Sequence, residues 1–291
     1  MFKRLKKNIA EFVYNISSKM KGFQLILIDY PIKSYPRYGY GKPPHQKLQK
    51  IISNDRIEYK KILEKFLNFK EKLLKIPRKA SEKSIEPCWI NNYLPGLDAI
   101  ALYSLIVMYN PKRYFEIGSG YSTKFVRRAI SDHELRTKII SIDPHPRLEI
   151  SSISDKIVRK PLEDVDMRIF GKLKADDFLF IDGSHRCFMN SDVTVVFLDI
   201  LPYLTDNTLI HFHDISLPID YSLKQASFYY SEQYLLAVYL LAKENRVKII
   251  LPNGFVSRDM ELNSILDPIW NNPKMKGTHT SGNSFWIKKI N

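Results

Sequence analysis

The sequence predicts an α/β fold: a mostly parallel sheet covered on both faces by helices, preceded by a basic, mainly helical N-terminal region. Three observations lead there. From about residue 86, short apolar runs alternate with stretches long enough for crossover helices. A glycine turn, FEIGSGYST, stands where the first of those runs gives way to a helix. The formal charge of +14 is not spread evenly, because residues 1–85 hold about 21 Lys/Arg against about seven Asp/Glu and so carry the whole excess.

In the first twenty residues Phe2, Leu5, Ile9, Phe12, Val13 and Ile16 recur at helical spacing among lysines, the pattern of a basic amphipathic helix. Such a helix either lies on an anionic membrane surface or docks on its own protein. A strand is expected in FQLILID at 23–29. Residues 30–45, YPIKSYPRYGYGKPPH, read as an ordered loop with the reach to cover a ligand site, since aromatic residues this dense pack. Residues 46–76 return to a helical pattern, and the composition changes again near 85, which sets the expected domains at 1–85 and 86–291.

Within the second domain, PGLDAIALYSLIVMY has helical spacing, and strands are expected at RYFEIG, KIISID, DKIVRK, DFLFID, TLIHFHD, RVKIIL and SFWIKK. Cys88 and Cys187 have no paired spacing, so neither a disulfide framework nor a zinc site is expected, and a cytoplasmic setting fits. The start of the chain lacks an uninterrupted apolar run and a small-residue cleavage site, and no run approaches the ~20 residues that span a bilayer. Neither secretion nor a membrane span is expected.

Glycines at a strand-to-helix turn permit tight backbone angles and expose N–H groups to an anionic part of a ligand. About 22 residues beyond Gly120, Ile142-Asp143 ends the next strand with an acid placed to accept hydrogen bonds from both hydroxyls of a ribose. Two details turn the choice from a nicotinamide dinucleotide to S-adenosylmethionine. Thr123 replaces the third glycine of G-x-G-x-x-G, and Glu116 stands two residues before the first glycine.

Through EIGSGYST, SIDPHPR, FLFIDGSHR and HFHDI, in that order, the sequence resembles the class I S-adenosylmethionine-dependent methyltransferases over residues 86–291. Within them it is most similar to a bacterial branch related to metal-dependent sugar O-methyltransferases and cephalosporin hydroxylase-like proteins. The resemblance implies a Rossmann-like sheet of seven strands with SFWIKK as a reversed last strand. It also implies that Gly118, Ser119, Gly120 and Ser122 meet the methionine end of the cofactor with Glu116 close by. By the same resemblance Asp143 holds the ribose, Leu162 and Glu163 lie near adenine, and Asp182 borders the cofactor.

Asp182 ends the fourth expected strand and His213-Asp214 the fifth; if the two are neighbours, their ends lie about 5 Å apart at one crevice. Asp182, His213 and Asp214 are therefore the candidate ligands of a divalent ion. In the metal-dependent relatives the last two positions are both acidic; histidine at the first departs from that pattern and admits Mn²⁺ or Fe²⁺ beside Mg²⁺. Transfer to a hydroxyl needs either a metal or a base, for which His185 is the first candidate and His213 the second.

The expected activity is thus O-methylation of a sugar or other polyhydroxylated small acceptor, with the basic region helping to hold an anionic or glycan-like one. Two other readings stay open: a metal-dependent hydroxylase on the same fold, and a peripheral membrane or nucleic-acid-binding protein acting through its basic segment. No RNA-binding signature supports the nucleic-acid reading.

Overall fold

The computed structural model describes residues 32–81, 83–146, 150–242 and 247–290, together with residues 9, 11–14, 16, 26 and 30. Internal contacts divide the chain into a unit ending at Tyr35 and a second beginning at Pro36. In the first unit Ile9, Glu11–Tyr14 and Ile16 are helical. The rest of the helix expected over residues 1–20, and all but Ile26 of the strand expected at 23–29, lie outside the described residues. No helix among the described residues is long and apolar enough to cross a membrane.

The second unit is built on seven strands: β1 (Arg113–Ile117), β2 (Lys138–Ile142), β3 (Lys156–Val158), β4 (Phe178–Ile181), β5 (Leu209–Phe212), β6 (Val247–Pro252) and β7 (Phe285–Lys289). They lie in the order β3-β2-β1-β4-β5-β7-β6. Pairing is parallel from β3 across to β5, while β7 runs antiparallel to both β5 and β6. All seven expected strands form, and SFWIKK is the reversed one. β1, β4 and β5 are buried almost throughout, as strands with both faces covered must be.

This order puts β1 beside β4 and β4 beside β5, with Ile117 opposite Ile181 and Ile181 opposite Phe212. The residues that follow these three strands therefore share one edge of the sheet. Chain reversals in strand order leave a crevice at that edge in open parallel sheets.

The boundary expected at 85/86 is not where the contacts divide the chain. Helices Gln46–Ser53 and Arg56–Phe66 bury Leu48, Ile52, Tyr59, Leu63 and Phe66 in the same core as the sheet. Two short helices cannot cover five such side chains by themselves, so the sheet domain has to supply the other wall. Arg56 fixes the join with bonds of 2.7 and 2.9 Å to Asp259 and 2.7 Å to Glu261.

The aromatic loop before these helices is ordered, as its composition predicts. Asp220, just beyond β5, accepts from the backbone N–H groups of Arg37 (2.6 Å) and Tyr38 (3.0 Å). Gly39, at φ +78°, lies flat against Ile219 where a Cβ would collide. Residues 37–39 of the loop thus dock on the segment that follows β5.

Candidate active site

The turn after β1 is shaped by Gly118, whose φ is +80°. A Cβ there would collide with the carbonyl oxygen of Asp182, so only glycine lets the β1 and β4 ends approach this closely. Nothing lies within 4 Å of a Cβ built on Gly120, which opens onto a cleft. Tyr93, Leu94, Ser119, Gly120, Tyr121, Ser122 and Asp182 line it. Gly120 begins the helix Tyr121–Asp132, whose unpaired N–H groups suit an anionic group in the cleft.

Asp143 ends β2 beside this turn. Its Oδ2 accepts from the backbone N–H (3.0 Å) and hydroxyl (2.8 Å) of Ser119, and Oδ1 accepts from His145 N–H at 2.8 Å. The acid is thus anchored next to the glycine turn, with lone pairs to spare for a diol.

Glu116 departs from expectation. Its side chain is fully buried, and it accepts from the hydroxyls of Ser141 (2.5 Å), Thr123 (2.6 Å), Ser122 (3.2 Å) and Tyr114 (3.3 Å). It braces the turn from below and offers a ligand no surface. Ser122 lines the cleft, but its hydroxyl is given to Glu116. Burial outweighs the four hydroxyl bonds and pushes the carboxyl up to about 7.

Leu162 and Glu163 form a short turn after β3; Leu162 is buried in the hydrophobic core, and of the two only Glu163 is exposed. An apolar side chain next to a strand end is drawn to the core more strongly than to an open rim.

At the ends of β4 and β5 four of the expected residues do meet. Asp182 Oδ1 lies 3.4 Å from His185 Nε2 and 3.4 Å from His213 Nδ1; Asp214 lies 3.7 Å from His185 Nε2 and 4.0 Å from His213 Nδ1. The two carboxylates keep 39% and 26% side-chain exposure, against 5% and 6% for the two rings. Only the carboxylates can meet an acceptor.

Two further acids, absent from the expected set, back the rings. Glu232 Oε2 lies 2.9 Å from His185 Nδ1, and Asp98 Oδ2 lies 3.7 Å from His213 Nε2; both acids are fully buried. Asp98 also accepts from Asn253 Nδ2 and from the backbone N–H groups of Asn283 and Ser284, tying the helix Gly96–Tyr109 to the start of β7. A lone aspartate in PGLDAIALYSLIVMY and a lone glutamate in YYSEQYLLAVYLLA were the signals available in the sequence.

Burial disfavours both charged rings, but the surrounding acids outweigh it, holding His185 up at about 10 and His213 well above the usual imidazole range. Burial likewise works against the Asp182 anion, and the two imidazoles overcome it to hold the carboxyl well below its usual range. His211 is the opposite case: burial first, and then the neighbouring His213, drive it well below the usual imidazole range, and it stacks on Phe180 at 3.8 Å within the sheet.

The same acids that hold the His185 and His213 rings toward the charged form work against their expected role as a base. Nor do Asp182, His213 and Asp214 make a metal-ligand set: among the described residues no group of three or more His, Cys, Asp or Glu is arranged to hold an ion. His213 Nδ1 and Asp182 face each other at 3.4 Å, so the expected Mg²⁺ or Mn²⁺ would have to part them to gain donors.

Cys88 and Cys187 are free thiols, as expected.

Residues 115–215 match the model of a methyltransferase domain. An uncharacterized protein of Archaeoglobus fulgidus is 28% identical over 95 residues, 30% of this chain and 42% of that protein, so the chain spans less than half of that relative's length. Among solved structures, an O-methyltransferase from Bacillus cereus in complex with S-adenosylhomocysteine aligns at a TM-score of 0.41 and 14% identity, covering 79% of this chain and 91% of that one. The plantazolicin methyltransferase aligns at 0.42 and 14%, covering 84% and 100%. The matched segment runs from β1 through the glycine turn to the residues just after His213-Asp214, on a sheet of the expected order, and it is similar to a methyltransferase domain.

Proposed function

We propose that the chain is an S-adenosylmethionine-dependent O-methyltransferase acting on a sugar or other polyhydroxylated small molecule. The observation that carries this reading is the position of Asp182. It is the one member of the histidine–carboxylate network that also lines the cleft with the glycine turn.

Asp143 and the Gly118–Ser122 turn suit the ribose and the methionine end of the cofactor. Bound S-adenosylmethionine would supply the electrophilic methyl group. Asp182 would accept the acceptor's hydroxyl proton as the O–C bond forms and the C–S bond breaks. A hydroxyl oxygen that is gaining a methyl group becomes strongly acidic, so even a carboxylate of low basicity suffices late in the reaction. His185 and His213 hold that carboxylate in place and offset its charge. No step runs through a metal, because the donors present do not fit one.

The sugar-like acceptor rests on the sequence resemblance, and the charge of the N-terminal region favours an anionic or glycan-linked form of it. The test is release of S-adenosylhomocysteine by the full chain against sugars, sugar phosphates and catechols, with primary amines in parallel. Turnover of hydroxyl acceptors, lost in Asp182→Asn, supports the proposal. Turnover of amines alone, or none at all by protein that binds the cofactor, overturns it.

A further inference from the structure

His185 is held in an unusual way. It is a non-glycine residue at φ +59°, a backbone conformation that costs energy and persists only where neighbours impose it. The neighbours are the first residues of the helix Glu232–Leu241 and the residue before it. The His185 carbonyl accepts from the backbone N–H groups of Ser231 (2.8 Å) and Glu232 (3.2 Å), and the Ser231 hydroxyl accepts from Cys187 N–H at 2.8 Å. The side chain of Glu232 then takes the ring itself, at 2.9 Å from Nδ1. The Glu232 carboxyl faces Nδ1 at 2.9 Å, which fixes the ring and turns Nε2 toward Asp182 and Asp214.

A helix start that needed only a cap for its N–H groups could use a serine or an aspartate facing solvent. Here it grips both the main chain and the ring of one residue at the acceptor edge. Glu232 is fully buried, and its second oxygen, Oε1, has no hydrogen-bond partner among the described residues. Such a carboxylate is costly to bury, and its one bond goes to the ring that faces Asp182.

We propose that Glu232 is a positioning residue for methyl transfer: with Ser231 it fixes His185 so that Nε2–H is delivered to Asp182 and Asp214, the carboxylates open to the acceptor. The role rests on the O-methyltransferase reading, whereas the hold on His185 stands apart from it.

The test compares full-length wild type, E232Q and E232D. Proton NMR of wild type should show a downfield, exchange-protected imidazole N–H, assigned by its loss in H185Q. E232Q should lose it and E232D should keep it. Affinity for S-adenosylhomocysteine, read by calorimetry, should stay within threefold in both, since the cofactor turn is separate from this clamp. With the hydroxyl acceptor that wild type turns over, kcat of E232Q should fall at least tenfold, with KM within threefold and most of kcat restored in E232D.

An N–H that is absent from wild type or persists in E232Q overturns the proposal, as does an unchanged kcat. Equal loss of cofactor binding and kcat also overturns it, because that pattern marks a purely structural glutamate. If E232Q does not fold, S231A with E232D carries the same comparison. If wild type binds the cofactor but methylates no hydroxyl, the O-methyltransferase reading fails, and the N–H result alone decides whether Glu232 holds His185.

Discussion

On the cofactor side of the cleft, Glu116 and Asp143 are bonded to hydroxyls and backbone N–H groups, most of them in the glycine turn itself. On the proposed acceptor side, Asp182 and Asp214 lie within 3.4–4.0 Å of imidazoles that lean in turn on Asp98 and Glu232, acids brought in by helices far apart in the sequence. Neutral donors fix a geometry whatever the charge in the cleft, which suits a cofactor bound the same way in every turnover. Charged partners set how readily a proton leaves, which suits chemistry on the acceptor.

The comparison breaks first at Gly118, where the two halves touch. Gly118→Ala forces a Cβ onto the Asp182 carbonyl at a positive φ, and about 2–3 kcal/mol of stability should go with it. Calorimetry should find no binding of S-adenosylhomocysteine. Intact binding would show that the halves are less tightly joined than the geometry says.

Asp182→Asn should sharpen the contrast, because it removes the proton acceptor and leaves the cofactor turn in place. Methyl transfer should slow by about 10²–10⁴-fold, with cofactor affinity kept within a few fold; loss of affinity without loss of rate would move Asp182 to the cofactor side. At the adenine end, Leu162→Ala should cost about 2–4 kcal/mol in denaturant melts as a core truncation, while Glu163→Ala should be nearly silent in stability. The reverse ranking would return Leu162 to the rim.

The smallest effect concerns Glu116. Its carboxyl sits at about 7 in the folded protein and 4.5 in the unfolded chain. Between those values the folded state keeps a proton that the unfolded chain has given up, so stability falls as pH rises through that window. Thermal melts of Glu116→Gln across pH 4.5–7 should have a shallower slope than wild type. An identical slope would mean that the hydroxyl cradle fully offsets burial.

The same contrast explains what could be read in the sequence. The first five strands and the glycine turn were legible because each is written in contiguous residues with a period or a spacing, whereas the count of seven and the reversal of the last strand came from the family resemblance. Asp182, His185, His213 and Asp214 were legible as candidates because each follows a strand end. Their roles were not, since the charge on a histidine depends on which acids the fold brings to it, and Asp98 and Glu232 lie far off in the sequence. The docking of the helices before residue 85 was not legible from charge, because a shift in charge marks the surface of helices, whereas Tyr59, Leu63 and Phe66, spaced at helical intervals in that same stretch, decide where the helices dock.

The central claim is that the glycine turn and Asp143 form a cofactor site for S-adenosylmethionine, and calorimetric titration of wild type and Asp143→Ala with S-adenosylmethionine and S-adenosylhomocysteine tests it directly. The account predicts saturable binding of both by wild type and a loss of about 100-fold in Asp143→Ala, on the order of 2–3 kcal/mol for hydrogen bonds to a charged group, with the melting temperature little changed. Folded wild-type protein that binds neither ligand, or an Asp143→Ala variant that binds both as wild type does, would contradict it.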